Sequence, residues 1–264
     1  MFVAGGLVQG VSEVDHAEFC RAVSELTGFD VGWYREDVVE RKVEFCGGRE
    51  ALVRALVEGR LSPEEAVSRL VVGFTRFFRD EECFRELERV WVPELFKMAG
   101  GGLRVWSAGC CAGAEAYSVA MVLEDVAPGA GHRVLATDVS VVSLEAGRRG
   151  EYEWDALRPL SVRRFARYFR QCGGRWAVSD GLRRVVEFRR HDLLRDPYPG
   201  GMHLVACRNV LVYLKAEASR RVLEGLAGAL VPGGMLFVGK KDPVEGEAEA
   251  WFTCVSPCFW RKRV

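Results

Sequence analysis

A short glycine-containing segment, residues 109–113, stands between an apolar run and a helix-like segment, as nucleoside-binding turns do. Residues 103–108 are mostly apolar, and helical spacing starts at Glu115. In a parallel α/β sheet such a turn lies at the carboxyl end of the first strand, where ligands bind. Gly109 and Gly113 remove side chains where a nucleoside approaches the backbone, and the helix start offers free N–H groups. The segment reads Gly-x-x-x-Gly and lacks the full dinucleotide fingerprint, so by itself it does not establish a nucleoside site, and the rest of the chain must supply the evidence.

Polar side chains also follow later strand-like runs. Asp138 ends the second run, where an acid accepts hydrogen bonds from ribose hydroxyls. The same acid could cap the next helix, and the two roles are compatible. His191 ends a further run, where it could reach an adenine edge. Arg208 and Asn209 follow the run 202–207 and offer hydrogen-bond donors at the edge where a substrate would lie.

Two nucleoside cofactors fit this pattern, NAD and S-adenosylmethionine. Three features favour the methyl donor: a Pro-Gly-Gly turn at 232–234, a terminal strand pair split by Ser256 and Pro257, and the irregular glycine loop. The chain has only four histidines and no obvious Cys–His or Ser–His arrangement for nucleophilic catalysis.

The elements that must position these residues fall into two regions. Up to residue 99 the spacing predicts helices, with start signals at Asp15 and Ser62 and stop signals at Gly28 and at Gly47. The glycines at 100–102 predict a joint, so the domains are 1–99, helical domain and linker, and 100–264.

From residue 103 on, strands alternate with helices, which predicts an α/β fold with a mostly parallel sheet and helices on both faces. An Asp-Gly dipeptide at 180–181 predicts a β-hairpin between runs 175–178 and 182–188. The runs 251–255 and 258–261 predict a terminal antiparallel hairpin.

Composition bounds the location and the partners. No run of about 18 apolar residues occurs, so we expect no membrane insertion. The nine cysteines lack CxxC pairs, which indicates reduced thiols in a cytoplasmic protein and no metal site. The chain is neutral overall, but segment 158–190 holds ten arginines against Asp180 and Glu187. This segment is either a solvated helix face with a polar hairpin or a docking surface for an acidic protein. The neutral charge and the lack of a stacking-aromatic motif disfavour nucleic acid.

Taken together, these motifs resemble those of the CheR-type chemoreceptor glutamate methyltransferases over nearly the whole chain. The glycine loop, in WSAGCCAGAEAYS at 106–118, is similar to the family's SAGCSTGEEPYS. Further similar segments are TRFFRD at 75–80, ATD at 136–138, CRNVLVY at 207–213 and PGG at 232–234. The resemblance implies a helical N-terminal domain on an S-adenosylmethionine-dependent methyltransferase domain, which has a Rossmann-like sheet and an inserted three-stranded antiparallel subdomain at about 170–190.

The resemblance also implies a reaction, methyl transfer from S-adenosylmethionine to receptor glutamates, with S-adenosylhomocysteine as product and no metal. The partner would be the cytoplasmic helices of chemoreceptors, and segment 158–190 would be the surface on which they dock. Arg79 and Tyr213 would act on the substrate side, Arg79 facing the methionine carboxylate or the incoming glutamate. The cofactor-binding positions carried over are Thr75, Arg79, Gly109, Gly113, Glu115, Asp138, Asp192, Leu193, Arg208 and Asn209.

Several positions depart from the family pattern. Gly73 replaces an Asn, Asp192 replaces an Asn, and 111, 112 and 114 lack the usual Ser, Thr and Glu. The usual GHSE after the fifth strand reads GKKD at 239–242, which adds two positive charges near the site mouth. Two alternatives therefore stay open: a CheR-like module that binds or docks without turnover, and a methyltransferase with another substrate.

Overall fold

The computed structural model describes residues 14–71, 73, 75–246 and 248–263. The chain divides into two compact units, with the division between Val72 and Gly73. This division differs from the boundary expected at 99–100. Residues 73–99 belong to the second unit, and the side chains of Phe77, Phe78 and Phe84 lie in its core: the ring of Phe77 packs edge-on against those of Tyr152 and Phe169.

The first unit is helical. Its helices are α1 (His16–Thr27), α2 (Glu36–Phe45), α3 (Arg49–Val57) and α4 (Pro63–Leu70), with a 3₁₀ turn at Val31–Trp33. The expected caps are confirmed. Asp15 accepts a hydrogen bond from the Glu18 N–H, and Gly28 ends α1 in the left-handed conformation. Ser62 starts α4 with a complete capping box.

The second unit contains two sheets and eight helices in its described part. The helices are α5 (Glu81–Glu86), α6 (Val92–Ala99), α7 (Ala114–Val126), α8 (Val141–Arg149), α9 (Trp154–Leu157), α10 (Val162–Tyr168), α11 (Asp180–Arg183) and α12 (Ala216–Ala229), with a π-helical turn at Leu87–Trp91 and a 3₁₀ turn at Leu211–Tyr213. The strands are β1 (Arg104–Ala108), β2 (Arg133–Asp138), β3 (Glu151–Tyr152), β4 (Phe169–Cys172), β5 (Arg175–Val178), β6 (Val186–Arg190), β7 (Met202–Cys207), β8 (Leu230–Val238), β9 (Phe252–Ser256) and β10 (Phe259–Lys262).

The larger sheet has seven strands in the order β6-β2-β1-β7-β8-β10-β9. The first five run parallel, and β10 and β9 form the expected terminal antiparallel hairpin. In register, Ala108 lies beside Thr137, and Ser107 lies beside Ala206. The carboxyl ends of β1, β2 and β7 therefore meet at one edge of the sheet, as a parallel α/β arrangement requires.

The smaller sheet corrects the predicted insert. Its three antiparallel strands have the order β3-β5-β4, so it spans 151–178 and not 170–190. Gly173 and Gly174, both at positive φ, connect β4 to β5. The predicted hairpin at 180–181 is wrong: those residues begin the short helix α11, and β6 pairs in parallel with β2. Leu182 is 2% exposed, and its burial outweighs the local Asp-Gly turn preference.

The structure also tests the expectations for the Pro-Gly-Gly segment, for the cysteines and for membrane-spanning helices. The Pro-Gly-Gly segment lies within β8, where the register against β7 shifts between Met202 and Leu204. Cys83 and Cys258 form a disulfide, so the expectation that all cysteines are reduced is wrong for this pair. Within the described residues, no helix has both the length and the apolar character needed to cross a membrane.

Candidate functional site

The glycine loop lies at the carboxyl end of β1 and packs closely against the protein itself. Gly109 has φ 78°, and a Cβ there would lie 2.6 Å from Cγ2 of Val210. Gly113 has φ 86°, and a Cβ there would meet the Phe188 ring at 2.9 Å. Both glycines are therefore required by backbone conformation and by internal packing, and not only by a ligand's approach. The Gly109 N–H donates to the carbonyl of Thr137 at 2.8 Å, which joins the loop to β2.

Asp138 connects the glycine loop to the end of β2. One carboxylate oxygen accepts from the Cys111 N–H at 2.8 Å, and the other accepts from the Ser140 N–H at 2.9 Å. Ser140, and not Asp138, caps α8 by accepting from the Ser143 N–H. Burial raises the pKa of Asp138, against these backbone donors that lower it. Because each oxygen of a carboxylate can accept further hydrogen bonds, Asp138 keeps capacity for ribose hydroxyls.

The residues after β6 have mainly internal contacts. Asp192 is buried, and its carboxylate accepts from the Leu194 N–H at 2.9 Å. The Leu193 carbonyl accepts from the Tyr198 hydroxyl. The His191 ring packs edge-on against Trp106, and its Nε2 lies 3.1 Å from the Pro197 carbonyl. The sequence placed His191 at an adenine edge; its contacts are those of a packed core residue.

Arg208 and Glu115, both predicted to bind cofactor, are buried and paired with other side chains. The guanidinium of Arg208 is 1% exposed, and it lies 2.7 Å from the Asp80 carboxylate and 3.6 Å from that of Glu115. Its Nη2 also donates to the carbonyl of Arg79 at 2.7 Å. Glu115 in turn accepts from the Ser107 hydroxyl at 2.8 Å. Burial raises the pKa of Glu115, and Arg208 opposes that rise. Arg208 thus fixes residues 79–80 against the end of β7.

A further residue, Asp242, was not singled out by the sequence. Its carboxylate accepts three backbone N–H groups, those of Asn209 at 2.6 Å, Gly239 at 2.8 Å and Val212 at 3.1 Å. Burial raises its pKa, while the three N–H groups and Arg208 lower it. An acid in a turn commonly accepts from neighbouring backbone N–H groups, which was the one sequence signal for Asp242. That rule does not predict partners far away in sequence.

The remaining predicted residues are partly exposed. Asn209 has φ 57° and follows β7, and Tyr213 ends the 3₁₀ turn beyond it. Thr75 and Arg79 lie in the segment before α5, whose Phe78 N–H donates to the Ser118 hydroxyl at 3.0 Å. Hydrogen bonds and the Arg208–Glu115 ion pair therefore bring segments 75–80, 109–115 and 208–213 and Asp138 together at one edge of the sheet.

Two surface features lie apart from this edge. In the first unit, His16, Glu36 and Glu40 place possible metal-ligand atoms within 4.8 Å of one another. Arg49 already pairs with Glu40 at 2.7 Å, so a cation there would face a positive charge and we assign none. His16, Glu36 and Arg49 line a surface cavity of about 680 Å³.

The arginine-rich segment is largely paired within its own unit. Arg164 and Arg167 contact Asp125 at 2.8 and 2.9 Å. Four more of the ten arginines also form ion pairs: Arg158, Arg175, Arg189 and Arg190. The expected docking surface is thus smaller than the charge count indicated. Exposed groups that remain on it include Arg163 and Arg184.

Comparisons with known proteins agree with this geometry. The family described as "CheR methyltransferase, SAM binding domain" matches residues 73–258. A Chemotaxis protein methyltransferase of Listeria monocytogenes serovar 1/2a is 30% identical over 256 residues, covering 95% of this chain and 98% of its own. Chemotaxis protein methyltransferase 1 of Pseudomonas aeruginosa is 42% identical over 190 residues, covering 68% of this chain and 69% of its own.

Among solved structures, the N-methyltransferase NodS from Bradyrhizobium japonicum WM9, in complex with S-adenosyl-l-homocysteine, is 16% identical. The match covers 68% of this chain and 87% of that one, with a TM-score of 0.40, which is too low to support an argument. The family match and the two relatives suffice: the chain belongs to the CheR methyltransferase family and carries that family's SAM-binding domain.

Proposed function

We propose that the protein transfers the methyl group of S-adenosylmethionine to glutamate side chains on the cytoplasmic helices of chemoreceptors. The observation that carries the proposal is the meeting of Asp138, the glycine loop and segment 208–213 at the carboxyl edge of the sheet. The names of the two relatives, both chemotaxis methyltransferases, support chemoreceptors as the substrate class.

The residues at this edge fit the nucleoside part of the cofactor. Residue Asp138 is half-buried, and each carboxylate oxygen holds one backbone N–H, which leaves acceptor capacity for two sugar hydroxyls. Gly109 and Gly113, both left-handed, shape the loop at the carboxyl end of β1. We assign Thr75, Asp192, Leu193 and Asn209 to the lining of the same pocket.

When bound, S-adenosylmethionine supplies an electrophilic methyl group on a sulfonium. A glutamate carboxylate is already ionised at neutral pH, because its ordinary pKa is about 4.3. The protein therefore has no need of a strong general base, and its residues act by positioning the acceptor and excluding water. Arg79 is the group that we assign to the acceptor or to the methionine carboxylate, since a guanidinium binds either in two-point fashion. Tyr213 lies on the acceptor side.

Glu115 and Arg208 act differently in this proposal. Because they are buried and paired with each other, their role is structural. Arg208 holds the Arg79 backbone, and Glu115 holds the first turn of α7. We assign acceptor docking to exposed groups of segment 158–190, among them Arg163, together with exposed Trp154 of α9 and Val162 of α10. An acidic helix surface complements this mixture of charge and apolar area.

The experiment has two stages. Calorimetry with S-adenosylhomocysteine should give one tight site per chain. Labelled methyl transfer to receptor-containing membranes should then give a base-labile product, because a glutamyl ester hydrolyses in base and an N-methyl group does not. No binding at high ligand concentration would refute the methyltransferase proposal, and a base-stable product would refute glutamate as the acceptor.

A further inference from the structure

We propose that Asp242 is a positioning residue for segment 208–213, holding Asn209 and the turn of Tyr213 in the arrangement that binds cofactor and acceptor. The inference rests on the proposed function, because only that function gives the two residues a ligand. The positioning depends on the carboxylate that this chain carries at position 242.

The carboxylate of Asp242 joins two strand ends. One oxygen accepts from the N–H groups of Asn209 at 2.6 Å and Gly239 at 2.8 Å, and the other accepts from Val212 at 3.1 Å. Asn209 follows β7, whereas Gly239 follows β8. Three backbone donors on neighbouring strand ends thus share a single anionic acceptor, and charged acceptors make the stronger hydrogen bonds.

The segment held by Asp242 would otherwise relax. Asn209 has φ 57°, a left-handed conformation that costs a non-glycine residue energy unless neighbouring contacts fix it. The Val212 N–H belongs to the short 3₁₀ turn that carries Tyr213. Asp242 therefore fixes both the strained residue and the turn, from a position 33 residues away in sequence.

The packing of Gly239 makes the arrangement tight. A Cβ at this residue would lie 2.7 Å from the Asn209 Nδ2 and 2.8 Å from the Asp242 Oδ2. The Asn209 side chain thus lies directly against the Gly239 backbone. Asp242 and Gly239 together define the position of the Asn209 amide, which is the group that we assign to the cofactor pocket.

The matched variants are Asp242→Asn, Asp242→Glu and Lys241→Gln. The first keeps the side-chain size but turns one acceptor oxygen into a donor that faces a backbone N–H. The second keeps both acceptor oxygens. The third changes the exposed neighbour in the same turn and touches none of these hydrogen bonds.

Two measurements test the proposal. Amide hydrogen exchange over residues 208–214 should be faster in Asp242→Asn than in wild type, and unchanged in Lys241→Gln. The calorimetric dissociation constant for S-adenosylhomocysteine should rise about tenfold in Asp242→Asn, the loss expected for one hydrogen bond, and return to within about twofold in Asp242→Glu. A merely unstable variant would instead lower the number of sites per chain and leave the dissociation constant of the folded fraction unchanged.

Each arm can overturn the inference. Unchanged exchange in Asp242→Asn would show that Asp242 does not hold the segment. Faster exchange with wild-type affinity would show that the held segment does not serve the ligand, and failure of Asp242→Glu to restore affinity would show that the carboxylate is not the cause. If wild type itself binds no S-adenosylhomocysteine, the proposed function fails, while the exchange arm still decides whether Asp242 holds the segment.

Discussion

Asp138 provides the sharpest test of the cofactor site, because its structural and ligand-binding roles can be separated. Its two oxygens each accept one backbone N–H, from Cys111 and from Ser140. Asp138→Ala removes these acceptors together with the proposed ribose contacts, whereas Asp138→Asn keeps one acceptor oxygen. The alanine variant thus combines loss of the loop contacts with loss of the ligand contacts, whereas the asparagine variant keeps one acceptor oxygen and turns the other into a donor that faces a backbone N–H.

The magnitude is set by the number of hydrogen bonds. A hydrogen bond to a charged acceptor contributes about 1.5–3 kcal/mol. Two ribose hydroxyls on one carboxylate therefore contribute at least about 3 kcal/mol, or more than a hundredfold in affinity. We expect Asp138→Ala to abolish measurable binding of S-adenosylhomocysteine. In Asp138→Asn one hydroxyl still finds an oxygen, so we expect a loss of roughly ten- to a hundredfold.

Calorimetry with S-adenosylhomocysteine is the assay, and Ser140→Ala is the matched control. Ser140 caps α8 beside Asp138, so its loss should cost about 1 kcal/mol of stability and leave affinity unchanged. Wild-type affinity in both Asp138 variants would refute the reasoning. An equal loss in Ser140→Ala would show that disturbance of the α8 start, and not loss of a ribose contact, explains the effect.

Three further changes test the surroundings of the site and the first unit. Arg208→Met leaves two carboxylates without their buried counter-charge, so the free energy of unfolding in urea should fall by about 3–5 kcal/mol; wild-type stability would contradict this. Gly109→Ala places a Cβ 2.6 Å from Val210 in a left-handed backbone, so affinity for S-adenosylhomocysteine should fall at least about tenfold. Adding Val210→Ala should recover part of the loss, and no recovery would mean that the clash is not its cause. Burial raises the pKa of Glu40, but hydrogen bonds from a neighbouring arginine and histidine outweigh it and hold the pKa below its ordinary 4.5. A carboxyl with a lowered pKa stabilises the fold above pH 4.5 and loses that contribution as the pH falls through its folded pKa. The stability difference between wild type and Glu40→Gln, from urea titrations, should therefore shrink from pH 7 to pH 3. A Glu40 difference that is independent of pH would contradict the assignment.

Much of the fold was predictable because apolar runs in this chain end at polar residues. The run 202–207 is a strand with the predicted bounds, and the predicted start signals Asp15 and Ser62 precede α1 and α4. The predicted hairpin at 180–181 failed because local turn chemistry competes with burial, and Leu182 packs in the core. The hairpin in this region is formed by β4 and β5 and turns at Gly173 and Gly174, a dipeptide that was a weaker turn signal than Asp-Gly.

The sequence predicts at which edge of the sheet the candidate site lies, but it does not predict which side chains contact one another there. Strand ends locate Asp138 and Arg208 at one edge, because parallel strands end together. Which charge faces which partner depends on chain segments far apart in sequence: Arg208 pairs with Asp80, 128 residues away. An arginine after a strand therefore indicated a ligand contact, whereas in the structure it is a buried counter-charge that holds a neighbouring segment. Asp242 appeared in the sequence only as the last residue of the segment 239–242, and nothing there indicated its partners 30 and 33 residues away.

Backbone strain connects these contacts to function. Four non-glycine residues have positive φ in the described part of the chain: Phe78, Asp80, Cys111 and Asn209. All four lie in the segments that meet at the carboxyl edge of the sheet, and each such conformation costs on the order of 1–3 kcal/mol. The hydrogen bonds that offset this cost come from polar side chains of the protein: Asp138 holds Cys111, Arg208 holds Asp80, and the Asp242 carboxylate holds Asn209. Because the protein's own hydrogen bonds fix the strained residues, the edge is preorganised, and a ligand there need not supply the energy to order it.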